Sequence, residues 1–190
     1  FGEEGNMITI AVKDPALFTS ANFKAWNDLT SSLEKYPEVE NVIAIGNLKK
    51  LEKFEDPKRF EMVPILEDEK LDEEDLADFK EELFTGLPFY ENLVFSSHSQ
   101  TIQTVIYLHK DILNSQERKD FVLEELEPLV EDFERDHKLE LHVSGMPYIR
   151  TLNAQNIVDE IGLFIGAALL VTSLIFFFFF RSVRATVISM

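Results

Sequence analysis

Four histidines and one serine-rich tetrapeptide are the residues of this chain whose types could carry nucleophilic or metal chemistry. His98 stands between Ser97 and Ser99, with Ser96 one position further back. A serine nucleophile needs a base within reach and a third group that orients the base. Sequence neighbours alone do not supply that set, so the tetrapeptide reads as a polar turn between two strands. His98, His109, His137 and His142 show no HExxH spacing, and the chain has no GxSxG elbow, no phosphate-cradling glycine loop and no cysteine to pair with a histidine. They read as isolated surface or strand residues. No catalytic, cofactor-binding or metal-ligating residue is expected, and the chain reads as a non-enzyme.

The acidic residues offer a second kind of chemistry. Asp68, Lys70, Asp72 and Glu74 alternate as a calcium loop might, but the sixth position is not Gly and the twelfth is Phe79, not Glu. A solvated helix face explains them. Asp159 and Glu160 stand one turn or less before a long apolar run, where interfacial solvation accounts for them without a proton path. Phe89, Tyr90, Phe95 and Tyr107 could line a cleft for a hydrophobic substrate, although aromatic residues in strands read first as core.

These residues are carried by a chain with two contrasting parts. Residues 161–180 run without a charge through Leu, Ile, Val, Ala, Gly and a five-Phe block, interrupted only by Thr172 and Ser173. At about 1.5 Å per residue the run spans roughly 30 Å, enough to cross a bilayer core. Arg181 and Arg184 come at once after it and mark the membrane boundary on the cytoplasmic side, because Lys and Arg beside a span are retained there. The preceding residues, 1–160, are then expected outside. Gly162 and Gly166 form a GxxxG that permits close packing against a neighbouring span.

The outer part is acidic. With Arg181, Arg184, Asp159 and Glu160 left out, positions 1–154 hold 16 of the 18 basic and 33 of the 35 acidic residues. Such a surface repels nucleic acid, which is bound through Lys and Arg contacts to phosphate. The absence of cysteine removes a disulfide framework or thiolate zinc site, and some 150 residues can hold a core without either. It fits a bacterial envelope. Because the first residue is Phe and the chain halts ten residues past the apolar run, a piece of a longer protein is expected, exported by an earlier span. Residues 1–30 carry no signal-peptide pattern.

Periodicity divides residues 1–146 into alternating strands and helices, with no repeat of 20 to 50 residues. Ile8, Ile10 and Val12 alternate in a strand over 6–13. A helix capped by Thr19 or Ser20 comes next, with Phe23, Trp26, Leu29 and Leu33 on one side until Pro37. A strand over 39–45 is closed by Gly46. Residues 47–91 are the least regular: basic residues from Lys49 to Arg59 give way to an acidic tract over 67–82. A helix is expected over 72–84, capped by Asp72, with Leu76, Phe79 and Leu83 buried. A second set succeeds it: strands over 93–96 and 101–109, a helix over 115–136 kinked or restarted at Pro128, and a strand over 139–144. Two strand-helix-strand halves predict an α+β fold, a ferredoxin-like split βαβ sandwich with two helices on one face of a mainly antiparallel sheet.

At the junction, Gly145 allows a tight exit from the last strand and Pro147 suits the first turn of a helix. Nothing breaks that helix from 147 to 180. The expected organisation is a domain over 1–146, a connecting helix over 147–160, a transmembrane helix over 161–180, and a cytoplasmic turn that begins a further span over 181–190.

The approach Ser144-Gly145-Met146-Pro147, the long helix and the exit Phe180-Arg181-Ser182-Val183-Arg184-Ala185-Thr186 resemble the resistance-nodulation-division (RND) exporters, particularly their MMPL-like branch. The resemblance covers the whole chain, as the first extracytoplasmic loop and second span of such a protein. It implies a multi-pass protein of the bacterial inner membrane that exports lipids or other hydrophobic or amphipathic substrates on a proton gradient. Its partners would be the membrane and the remaining spans of the parent chain. The charged relay of the family resembles a feature of the fourth span, outside this chain. A membrane-anchored binding or sensory module of the same fold is the alternative. An exporter needs several more spans after Met190, and the anchored module needs none.

Overall fold

The computed structural model describes residues 3–55, 58–66 and 73–180. Within it the chain forms two compact units, Phe1–Ile149 and Arg150–Met190. The first is mixed α/β with antiparallel sheets, and a long apolar helix runs into the second.

Strand β1 (Met7–Val12) buries Ile8, Ile10 and Val12 and leaves Met7, Thr9 and Ala11 half-buried on its other face, as period-two alternation requires. Helix α1 (Ser20–Leu33) comes next, and Phe23, Trp26, Leu29 and Leu33 are buried as their spacing predicts. Thr19 is its N-cap, but the Thr19 hydroxyl donates back to Ala16 O at 3.0 Å instead of capping the helix. Strand β2 is shorter than expected, Val39–Ile43, because its pairing shifts register between Val39 and Asn41 and a single turn at Ile45–Asn47 ends it.

The stretch predicted to be irregular contains a two-stranded sheet. β3 (Lys49–Glu55) pairs antiparallel with β4 (Lys58–Pro64), Leu51 opposite Met62 and Lys53 opposite Phe60. Periodicity does not reveal it because neither face is sealed in the core, so apolar and charged residues share both. Helix α2 (Glu73–Gly86) buries Leu76, Phe79 and Leu83 as predicted. Its expected cap Asp72 and most of the calcium-like alternation lie outside the described residues.

β5 (Phe95–Ser96) is a two-residue strand beside β6 (Thr101–Leu108). The helix after it has three parts: α3 (Gln116–Asp120), a π-helical segment (Phe121–Leu126) and α4 (Glu127–His137). Pro128 therefore sits in the first turn of a restarted helix, where its missing N–H costs little. The widened segment before it gives the Glu127 N–H an acceptor five residues back, Val122 O. Strand β7 (Leu141–Ser144) leads to α5 (Met146–Phe180).

The main sheet runs β2-β6-β1-β7, with β5 also on β6. Each strand pairs antiparallel with its neighbours, so β6 lies between β1 and β2, and β1 between β6 and β7. The two strand-helix-strand passages interleave. Their helices and α2 share one core with the buried side of the sheet: Trp26 of α1 meets Phe133 of α4 edge to face at 5.8 Å, Phe23 of α1 meets Phe79 of α2 at 5.7 Å, and Phe84 of α2 meets Phe95 of β5 at 5.4 Å. Contacts of this kind add about 0.5–1.5 kcal/mol each to simple burial.

Candidate functional site at the strand-to-helix junction

The junction is built on β1. β7 lies beside it with Ser144 opposite Thr9 and Val143 opposite Ile10, and the chain must then turn out of the sheet within one residue. Gly145 makes that turn at φ +125°, a conformation that L side chains rarely adopt. A Cβ there would stand 2.3 Å from Met7 O and 2.9 Å from Ile8 Cα, both backbone atoms of β1. The first turn of α5 closes back on it, Ile149 N donating to Gly145 O at 2.9 Å. Pro147 is buried at the second position of that helix.

Beside the junction, α4, β7 and the start of α5 enclose a cleft of about 200 Å³. Leu126, Val130, Leu141 and Val143 form its apolar lining, and Glu127, Glu131 and Glu134 stand along one side. The three carboxylates fall at i, i+4 and i+7 of the helix, on one face of it. Tyr148 Oη donates to Glu127 Oε1 at 3.2 Å, and Glu134 Oε1 accepts from Leu141 N at 2.6 Å, which holds α4 to the edge strand. Arg135, the arginine of the same helix, turns instead to Asp132 and Asp136, at 2.6 and 2.9 Å. Its accessible lining is more polar than apolar and its charged groups are carboxylates, so what it can receive is a small cationic group. It is smaller than the roughly 300–1,000 Å³ of pockets that enclose whole small molecules.

The other candidate residues fall into separate places. Gly162 and Gly166 lie in α5, and an added Cβ at either meets nothing within 4 Å among the described residues. Arg181 and Arg184 lie outside the described residues. Along α5 the apolar side chains are exposed, Leu163 at 71% and Phe178 at 73%, unlike those of a core helix. It is the one described helix long and apolar enough to cross a membrane. Asp159 and Glu160 are exposed, Asp159 accepting from Gln155 Nε2 at 3.2 Å.

The serine-rich segment holds Ser97 with its hydroxyl donating to Glu91 Oε2 at 2.7 Å and its N–H to Glu91 Oε1 at 2.9 Å, while His98 is exposed. His137 stacks on Phe133 at 4.6 Å with Nδ1 3.1 Å from Asn22 Oδ1. His109 and His142 are exposed. Among the described residues no three His, Cys, Asp or Glu side chains are grouped to hold a metal ion. The four aromatic residues do not converge: Phe95 is core, Phe89 and Tyr90 share a surface turn, and Tyr107 is on the half-buried side of the sheet.

Sequence reasoning missed the cleft. The signal was present in Glu127, Glu131 and Glu134 at helical spacing beside the stripe Leu126, Val130 and Phe133, but the partner strand and Tyr148 come from beyond the helix. No protein-family model and no curated protein matches this chain.

Proposed function

We propose that the chain is the extracytoplasmic domain and adjoining span of a membrane exporter, built on the ferredoxin-like split βαβ plan of the RND and MMPL-like porters. The observation that carries this reading is the passage from β7 through Gly145 into one helix of 35 residues. At about 1.5 Å per residue that helix is long enough to span a bilayer core of roughly 30 Å with two or more turns to spare. The interleaved order β2-β6-β1-β7 supports the fold, since a split βαβ pair places each middle strand between the ends of the other passage. Arg181 and Arg184 after the span support an outward-facing domain.

In this reading the spans of the parent chain draw on the proton gradient, and tilting of α5 passes through Gly145 to the sheet. Substrates are lipids or other hydrophobic or amphipathic molecules. The junction cleft is too small to enclose one. The test is export of a lipophilic fluorescent probe from cells that make the parent protein. Export should stop when the proton gradient is collapsed. It should also stop when four Gly/Ser residues are inserted after Gly145, while the fluorescence of the buried Trp26 stays native. Export that survives the insertion refutes coupling through the junction. Absence of any gradient-dependent export refutes the exporter reading.

A further inference from the structure

Strand β7 is an edge of the main sheet, paired with β1 on one side only. Leu141 N donates to Glu134 Oε1 at 2.6 Å, so that N–H points away from β1. Backbone groups two residues apart on a strand point to the same side, and the N–H and C=O of Val143 therefore face outward as well. Neither has a hydrogen-bond partner among the described residues. Unpaired edge groups are a template for another strand. The edge already takes an acceptor from outside the sheet, since the Glu134 carboxylate stands on the Leu141 N–H where a neighbouring strand's carbonyl would stand. The edge strand β2 shifts register between Val39 and Asn41, which makes it a poorer template.

The side chains of Leu141 and Val143 point to the helix layer, because their partners in β1 are Val12 and Ile10, on its buried side. A strand laid beside β7 would therefore turn every second side chain toward α4. What stands there is acidic: Glu127, Glu131 and Glu134 line the cleft with no Lys or Arg, while Leu126, Val130 and Leu141 are buried. Glu127 and Glu134 are engaged with Tyr148 Oη and Leu141 N, whereas Glu131 is exposed and has no hydrogen bond or ion pair among the described residues. A cation on the incoming strand would meet it. A second copy of β7 is a poor occupant, since pairing like edges would bring two such carboxylate rows together.

We infer that β7 is a docking edge for an extended basic segment of a partner protein. The segment adds antiparallel, its backbone pairing with Val143 and its lysine or arginine side chains, at alternate positions, meeting Glu131 and the neighbouring carboxylates of α4. Antiparallel pairing is the slightly more stable arrangement. Main-chain bonds give such a contact its affinity, and alternate side chains give it specificity. The inference rests on the first unit alone and holds whether or not the chain belongs to an exporter.

The probe is a short peptide, blocked at both ends, that alternates lysine and valine and carries a dye. It is titrated against the full chain in neutral detergent and read by fluorescence anisotropy. Binding is expected, and Glu131→Lys should weaken it at least about tenfold. In the antiparallel register the lysine amides turn to β7 and the valine amides to solvent. N-methylation of the lysine amides should therefore weaken binding at least about tenfold, the effect of losing one or two hydrogen bonds, and N-methylation of the valine amides should change it by no more than about twofold. Val143→Pro removes an outward N–H that β1 does not use and should weaken binding as the lysine-amide methylation does, with native Trp26 fluorescence as the control for folding. The methylated peptides leave the protein unchanged, so the test stands even where that variant fails to fold. Absence of binding overturns the inference. Binding indifferent to lysine-amide methylation overturns it too, because charge alone would then hold the peptide. Loss on valine-amide methylation instead contradicts the antiparallel register. A chain that dimerises with rising concentration, and that Val143→Pro returns to monomer, assigns the edge to a second copy and makes the inference wrong.

Discussion

Replacing Gly145 by Ala should destabilise the first unit more than any other single-methyl addition to a described glycine. Two costs combine. Holding a non-glycine residue at φ +125° costs on the order of 1–3 kcal/mol. The new Cβ would also stand 2.3 Å from Met7 O and 2.9 Å from Ile8 Cα. Those atoms belong to β1, which is held between β6 and β7 and cannot retreat without breaking pairs on both sides. Overpacking of this kind costs about 1–3 kcal/mol more. The expected loss is therefore about 2–6 kcal/mol, against a total stability of about 5–15 kcal/mol for an ordinary domain. Gly46→Ala is the comparison. Its Cβ would approach Asn27 Oδ1 at 2.3 Å, but that atom ends a side chain that can rotate, and the backbone is not in the left-handed region. Its cost should stay below about 1 kcal/mol, in the range of most surface changes. The assay is urea unfolding of the full chain in detergent, monitored by fluorescence of Trp26, the single tryptophan and fully buried. A Gly145→Ala protein within about 0.5 kcal/mol of the native one, or a Gly46→Ala protein that loses as much, would refute the steric account of the junction.

Three further outcomes are expected from particular side chains. Thr104 is fully buried in β6 and its hydroxyl has no hydrogen-bond partner among the described residues, so Thr104→Val should raise stability by about 1 kcal/mol in the same assay. The Tyr36 phenol, which donates to Glu125 Oε2 at 3.1 Å, is held above its ordinary value near 10 by partial burial, then by that bond and the charges of Glu125 and Glu38. Its contribution is complete below pH 10 and is lost as pH rises through the higher folded-state value, so native protein should lose stability there more steeply than Tyr36→Phe in pH-dependent melts. Leu170→Arg places a charge within the apolar part of α5 and should cost about 3–4 kcal/mol of insertion, read as a shift from the membrane fraction toward the soluble one.

Much of this fold is legible in residue spacing where one period meets one buried face. Ile8, Ile10 and Val12, the Phe23 to Leu33 stripe and Leu76, Phe79 and Leu83 each lie on a boundary between core and solvent, so a single pattern reports them. The β3–β4 hairpin does not, because Leu51, Phe60 and Met62 face outward beside lysines and leave no alternation to detect. Pro128 reads as a break, yet the bond it lacks is absorbed one turn earlier by the π segment, which has no sequence signature of its own. Gly145 is legible as a turn, whereas its reason, contact with the backbone of Met7 and Ile8 more than 130 residues away, requires the sheet order. The cleft needs the same information, since Glu127, Leu141 and Tyr148 meet only after β7 docks beside β1.

The central claim, an outward-facing domain held by α5, is tested most directly by thiol accessibility in right-side-out membrane vesicles. Lys24→Cys, on the exposed side of α1, and Ser182→Cys, just past the apolar run, are each treated with a membrane-impermeant maleimide. The account predicts that Lys24→Cys is labelled at once and Ser182→Cys only after the vesicles are opened. Labelling in the reverse order, or release of the chain by an alkaline wash, would contradict it.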